Sequence, residues 1–147
     1  MAAIRTAEVT WNGALADGSG MIDYVTSGAF TRLPVTWASR TETADGRTSP
    51  EELVASAHAA CYAMSLSGRL GRNGTAPTSL KVTATVTFDK AESGWKVMSS
   101  ALTVRGTVPG IDPADFARLA EAAKDGCPIS QALKGNVELS VEATLEG

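Results

Sequence analysis

From Leu53 to Gly68 the chain carries no Asp, Glu, Lys or Arg: it reads Leu-Val-Ala-Ser-Ala-His-Ala-Ala-Cys-Tyr-Ala-Met-Ser-Leu-Ser-Gly. Directly before it stands Ser49-Pro50-Glu51-Glu52. That order supplies an N-cap, a proline at the first helical position and a capping-box acid three residues after the cap. The pattern predicts a helix from Pro50, stopped by Gly71 and Asn73-Gly74. A helix that is apolar or small all round is buried on most of its sides. This one therefore belongs at the centre of the fold, with Cys61 at mid-length.

The flanking segments read as strands and two further helices. Val9 and Trp11 precede the turn dipeptide Asn12-Gly13, Met21 to Thr26 runs between glycines, and Val35-Thr36-Trp37 follows Pro34. Leu80, Val82, Ala84, Val86 and Phe88 alternate with polar residues, and the pattern resumes from Trp95 to Val108 after Glu92-Ser93-Gly94. A period of two with a turn between predicts a hairpin with one buried face. Asp112-Pro113 opens a helix with the stripe Phe116, Leu119, Ala120 and Ala123, closed by Gly126. Cys127-Pro128 begins a short helical piece through Leu133, and Val137 to Leu145 alternates as a last strand. The order predicts an α+β fold with a substantially antiparallel sheet.

Composition narrows the function classes. The 147 residues suit one domain, and 13 Lys plus Arg against 16 Asp plus Glu leave a net charge of -3. No basic face is implied, so neither nucleic acid nor an anionic membrane is an expected partner. No run approaches the roughly 20 apolar residues of a membrane span. The first residues lack the basic and apolar regions of a secretory signal, and two cysteines are too few for a disulfide scaffold. A cytoplasmic domain is the expectation.

Several residue sets can be weighed for chemistry. Gly18-Ser19-Gly20-Met21-Ile22-Asp23 ends in Asp where a dinucleotide loop needs glycine, and it opens a strand rather than a helix, so it reads as a turn. His58, the only histidine, stands three residues before Cys61 on the helix. A Cys-His hydrolase dyad or a zinc site with Cys127 can be drawn from these residues. The spacing fits neither well, and a buried core histidine is the plainer reading. Both cysteines can be small buried hydrophobes. Cys127, between Gly126 and Pro128, stands at a helix N-cap, where free N–H groups favour a thiolate. Cys61 lies ten positions beyond Glu51, far from its helix start, and needs an outside cation to be reactive. Arg40 is the best placed in sequence.

Thr48-Ser49-Pro50-Glu51-Glu52-Leu53-Val54-Ala55-Ser56-Ala57-His58-Ala59-Ala60-Cys61 resembles the helix signature of the OsmC/Ohr family of osmotically inducible and organic-hydroperoxide-resistance proteins. Val108-Pro109-Gly110-Ile111-Asp112 and Cys127-Pro128-Ile129-Ser130-Gln131-Ala132-Leu133 resemble the family's second region. His58 beside the cysteine helix, and an arginine at position 40, resemble the OsmC branch more than the Ohr branch. The resemblance implies one OsmC-like domain over residues 1–147, with antiparallel sheets wrapped around a long central helix in an intertwined homodimer.

It further implies a thiol peroxidase acting on organic hydroperoxides, and less readily on inorganic ones. Cys61 matches the peroxidatic cysteine, Cys127 the resolving cysteine, Arg40 the arginine that holds the thiolate, and Glu51 the glutamate that orients the arginine. Arg5, Arg32 and Arg47 are the fallback arginines. Glu52 is accounted for as the capping-box acid. The implied cycle uses no metal or bound cofactor and draws on an external dithiol, of which a lipoyl-bearing one is a candidate. A Cys-His hydrolase and a non-catalytic dimeric stress or ligand-binding protein remain the alternatives. Helix geometry adds one expectation of its own. Glu51 and Cys61 lie about 15 Å apart along one helix axis, so antiparallel packing of two copies would lay Glu51 of one chain near Cys61 of the other.

Overall fold

The computed structural model describes residues 1–147, in the order β1 (Ala7–Asn12), β2 (Ser19–Val25), β3 (Thr31–Val35), α1 (Trp37–Thr41), α2 (Pro50–Arg72), β4 (Ser79–Ala91), β5 (Gly94–Thr107), α3 (Pro113–Gly126), α4 (Pro128–Leu133) and β6 (Glu138–Leu145). They form two compact units, Met1–Leu53 and Val54–Gly147. The α+β class expected from the sequence is the class observed.

In the first unit β1, β2 and β3 make an antiparallel meander. Its register places Gly20 directly between Trp11 and Val35. A Cβ on Gly20 would lie 2.7 Å from the Trp11 ring and 2.8 Å from a Val35 methyl. Glycine is needed here for close approach rather than for a turn. The turn is one residue earlier than Ser19, where the Gly18 N–H donates to the Ala14 carbonyl at 2.7 Å.

The third expected strand ends early. Val35 is its last residue, and Thr36 caps α1 instead of continuing it. The Thr36 hydroxyl accepts from Ser39 N–H at 2.9 Å, and Ser39 Oγ accepts from Thr36 N–H at 3.0 Å. This reciprocal pair is a capping box with serine in the acid's place. Ser39 Oγ also bonds the Thr48 carbonyl at 3.1 Å, and Thr48 N–H donates to the Pro34 carbonyl. The short helix carrying Arg40 is thereby fastened to the segment that leads into α2.

α2 starts as the sequence predicts, with Ser49 Oγ accepting from Glu52 N–H at 3.1 Å. The burial differs from the expectation. His58, Tyr62, Leu66 and Leu70, spaced by four, are fully buried, while Ser56, Ala57, Ala60, Met64 and Ser67 are exposed. Within one chain the helix therefore buries one face. The other is free of charge but built mostly of small residues, which cover little apolar area.

In the second unit β4 and β5 form a long antiparallel hairpin, paired from Ser79–Thr107 to Ala91–Gly94. Ser100, Leu102, Val104, Gly106 and Val108 are its buried row. Leu102, Val104 and Val108 meet Tyr62, Leu66 and Leu70 of α2 and Phe116, Leu119, Ala120 and Ala123 of α3 in one core. Asp112 caps α3, its Oδ1 accepting from Asp115 N–H at 2.9 Å. The sheet is not wholly antiparallel: β6 pairs with β5 in parallel, from Ser99–Glu138 to Gly106–Leu145. Parallel neighbours need a long crossover, and here α3 and α4 are that crossover.

Candidate functional site

Two pairs of the candidate residues are in contact, each inside its own unit. In the first unit Arg40 closes on Glu51. Its Nε lies 3.0 Å from both carboxylate oxygens and its Nη2 2.7 Å from Oε1. Glu51 is buried at 7% exposure, so this charge-assisted fork is held away from most water. The guanidinium also stands 5.8 Å from the centre of the Trp37 ring, within cation–π range. A cleft of about 350 Å³ opens beside it, walled by Trp11, Leu15, Val35, Trp37 and Pro50, with Arg40 its one charged lining residue. Arg5 and Arg47 are exposed and occupied elsewhere, on the Ile4 carbonyl and on Asp45, and Arg32 is exposed. Of the four arginines only Arg40 holds Glu51.

In the second unit Cys61 and Cys127 are free thiols, Cys61 packed against the core that contains Cys127 and close enough to it for each to affect the other's ionisation. Cys127 is fully buried, and Cys61 is partly open. Burial pushes the Cys61 thiol above its ordinary range, and its bond with Cys127 adds to the rise. The backbone N–H of Ile129 opposes it. This revises the sequence reading of the two thiols. Cys127 is the N-cap residue of α4, yet its side chain makes no capping bond. The backbone amide of Ile129, in the first turn of α4, interacts with Cys61 instead. Neither Cys127 nor Ile129 is a cation, so the thiol's main activator is still to be supplied.

His58 is buried with both ring nitrogens engaged. Nδ1 is 2.7 Å from Ser100 Oγ on β5, and Nε2 is 2.8 Å from Ser130 Oγ on α4. Desolvation lowers its pKa and favours the neutral ring. With both nitrogens bonded to serines, none is left to act as a base on Cys61, which removes the ground for a Cys-His hydrolase. No three His, Cys, Asp or Glu side chains gather as a metal site, so the zinc reading is not supported either. No helix is long and apolar enough to cross a membrane.

Sequence reasoning missed Ile129, Ser100 and the aromatic cleft. Ser130 stands three residues after Cys127 in a stretch already singled out, so its polar side chain in a short buried helix was the available signal. Ser100 had another: it is a serine in the inward-facing row of an otherwise apolar strand face.

The family model described as OsmC-like protein matches residues 43–142. Peroxiredoxin OsmC of Escherichia coli (strain K12) is 38% identical over 138 residues, covering 94% of this chain and 95% of that protein. Organic hydroperoxide resistance protein OhrA of Bacillus subtilis (strain 168) is 32% identical over 97 residues, covering 65% of this chain and 66% of that protein. The crystal structure of the organic hydroperoxide resistance protein OhrB of Bacillus subtilis superposes with a TM-score of 0.72 at 26% identity, covering 95% of this chain and 98% of that one. With the family model matching residues 43–142 and the α+β fold in place, the chain belongs to the OsmC-like protein family.

Proposed function

We propose that this protein is a thiol-dependent peroxidase that reduces organic hydroperoxides. The observation that carries the reading is the contact between Cys61 and Cys127 in a chain of this family. The relatives named peroxiredoxin and organic hydroperoxide resistance protein support it. The Cys61 thiolate attacks the distal oxygen of R–O–O–H, and the O–O bond breaks with its electron pair leaving on the alkoxide, which takes a proton to become R–OH. Sulfur is oxidised by two electrons to the sulfenic acid. Cys127 condenses with it, forming the disulfide and releasing water. An external dithiol, a lipoyl-bearing one among the candidates, reopens the disulfide by exchange and is itself oxidised. No metal or bound cofactor enters this cycle.

In this reading Arg40, oriented by Glu51, stabilises the thiolate and the charge growing on the departing oxygen. The thiol that burial makes less acidic needs such a cation. The apolar cleft beside Arg40 favours a hydrocarbon-bearing hydroperoxide over hydrogen peroxide. We further propose an intertwined homodimer, in which Arg40 and Glu51 of one chain serve Cys61 of the other. The uncharged, exposed Ala60–Met64–Ser67 face of α2 supports it, as does the roughly 15 Å axial rise between Glu51 and Cys61. Composition supports a cytoplasmic location and no nucleic-acid or membrane partner.

The test is peroxide consumption with a dithiol, in wild type and Cys61→Ser. Turnover of an organic hydroperoxide abolished by the substitution is the expected result. A wild-type protein inactive with every hydroperoxide and dithiol pair tried would return the chain to a non-catalytic stress or ligand-binding role.

A further inference from the structure

His58 lies one helical turn before Cys61, yet its ring is bound to two hydroxyls and not to sulfur. Its partner Ser130 is 2% exposed and belongs to α4. That six-residue helix begins after Cys127 and carries the Ile129 amide that faces Cys61. The short helix and its N-cap residue thus carry the Cys127 thiol, the amide on the Cys61 sulfur, and the hydroxyl on His58. A neutral imidazole has one donor and one acceptor nitrogen, so one serine donates to the ring while the other receives from it. The chain Ser100–His58–Ser130 has a direction, and it spans β5, α2 and α4.

We propose that His58 is a positioning residue for the resolving step, holding α4 through Ser130 so that Cys127 meets the oxidised Cys61. The proposal rests on the peroxidase reading. In that step the S–O bond of the Cys61 sulfenic acid breaks and an S–S bond to Cys127 forms. The hydroxyl leaves with the Cys127 thiol proton as water, and no further oxidant is needed. Closing the S–S bond draws the two chains of atoms nearer than a thiol contact. An α4 that drifts from α2 loses that approach, while the first attack on peroxide does not use Cys127 and is slowed less, only by the weakened contact of the Ile129 amide with Cys61.

The experiment follows one turnover. Reduced protein is mixed with one equivalent of tert-butyl hydroperoxide without a dithiol. Peroxide loss is timed, and samples quenched with dimedone are analysed by mass spectrometry for sulfenic-acid adduct and disulfide. Ser130→Ala should form the disulfide more slowly, by about tenfold for the loss of one buried hydrogen bond, and should slow peroxide consumption by much less. The trapped adduct should rise, and excess peroxide should drive Cys61 to sulfinic acid. Tyr62→Phe removes a comparable buried bond from the same helix, to the Ala120 carbonyl on α3 at 2.9 Å, and should leave disulfide formation at the wild-type rate. His58→Asn, whose amide reaches the Nδ1 position only, should behave as Ser130→Ala, and His58→Gln, which reaches the Nε2 position, should recover most of the rate. If Ser130→Ala does not fold, the Asn and Gln pair carries the test. Disulfide formation in Ser130→Ala or His58→Asn as fast as in Tyr62→Phe overturns the proposal. A wild-type protein that consumes peroxide without ever forming the disulfide, or consumes none, overturns the two-cysteine reading and this proposal with it.

Discussion

Arg40 meets Glu51 edge-on, with Nε shared between both carboxylate oxygens at 3.0 Å and Nη2 on one of them at 2.7 Å. A lysine has no planar fork and cannot reproduce this. Arg40→Lys should keep the charge and lower kcat/KM for an organic hydroperoxide by roughly 10- to 100-fold, the scale of one or two charged hydrogen bonds. In Arg40→Ala the pH midpoint of Cys61 alkylation should rise. Wild-type alkylation in that variant would move the role to Arg5, Arg32 or Arg47.

The shared-site dimer has a complementation test. Glu51→Ala and Cys61→Ser should each be inactive as homodimers. After subunit exchange, mixed dimers would hold one intact site, and equal mixing should restore about a quarter of wild-type activity. Confirmed exchange with no recovery would exclude the arrangement.

Gly106 sits in the buried row of β5 beneath Phe116. A Cβ there would lie 2.7 and 2.9 Å from the Phe116 ring and 3.1 Å from Leu80 Cδ2. All three atoms are packed on the core side, so Gly106→Ala should destabilise by about 2 kcal/mol through overpacking. Calorimetry should show Tm lower by roughly 4–8 °C for a chain of this size.

Stability should fall at both ends of the pH scale, for separate reasons. The folded state lowers the His58 pKa by burial. Its contribution is therefore complete above the unfolded value of about 6.5 and is lost as pH falls through the folded one. The folded state raises the Tyr62 pKa, chiefly by burial. That contribution is complete below the unfolded value of about 10 and is lost as pH rises beyond it. Thermal melts should show a shallower acid limb in His58→Gln and a shallower alkaline limb in Tyr62→Phe. Limbs unchanged by these substitutions would assign the slopes to other groups.

Much of this was legible because it is local. Ser49-Pro50 and Asp112-Pro113 announce their helices through side chains that satisfy nearby N–H groups, and period two in Leu80–Phe88 and Val137–Leu145 marks the strands. Thr36 was read as strand because its cap partner is Ser39, not the usual acid. The parallel sense of β6 was hidden, since alternation gives a strand its faces but not its direction. The Arg40–Glu51 pair and the cysteine pair were named from a family resemblance, and contacts between distant segments have no periodic signature. Ile129 escaped for a simpler reason: its contribution is a backbone amide, which every residue but proline possesses.

The parallel seam between β5 and β6 also has a kinetic side. The β4–β5 hairpin turns tightly and can zip outward from Ala91–Gly94. By contrast β6 must wait for the whole α3–α4 crossover to fold back, which makes it a late strand to dock and an early one to leave. Cys127 lies within that crossover. A disulfide from it to Cys61 would tether the crossover to α2 in the unfolded chain and shorten the loop that β6 has to close. The oxidised protein should then refold faster than the reduced one, so that each turn of the redox cycle would also change how readily the chain recovers from damage.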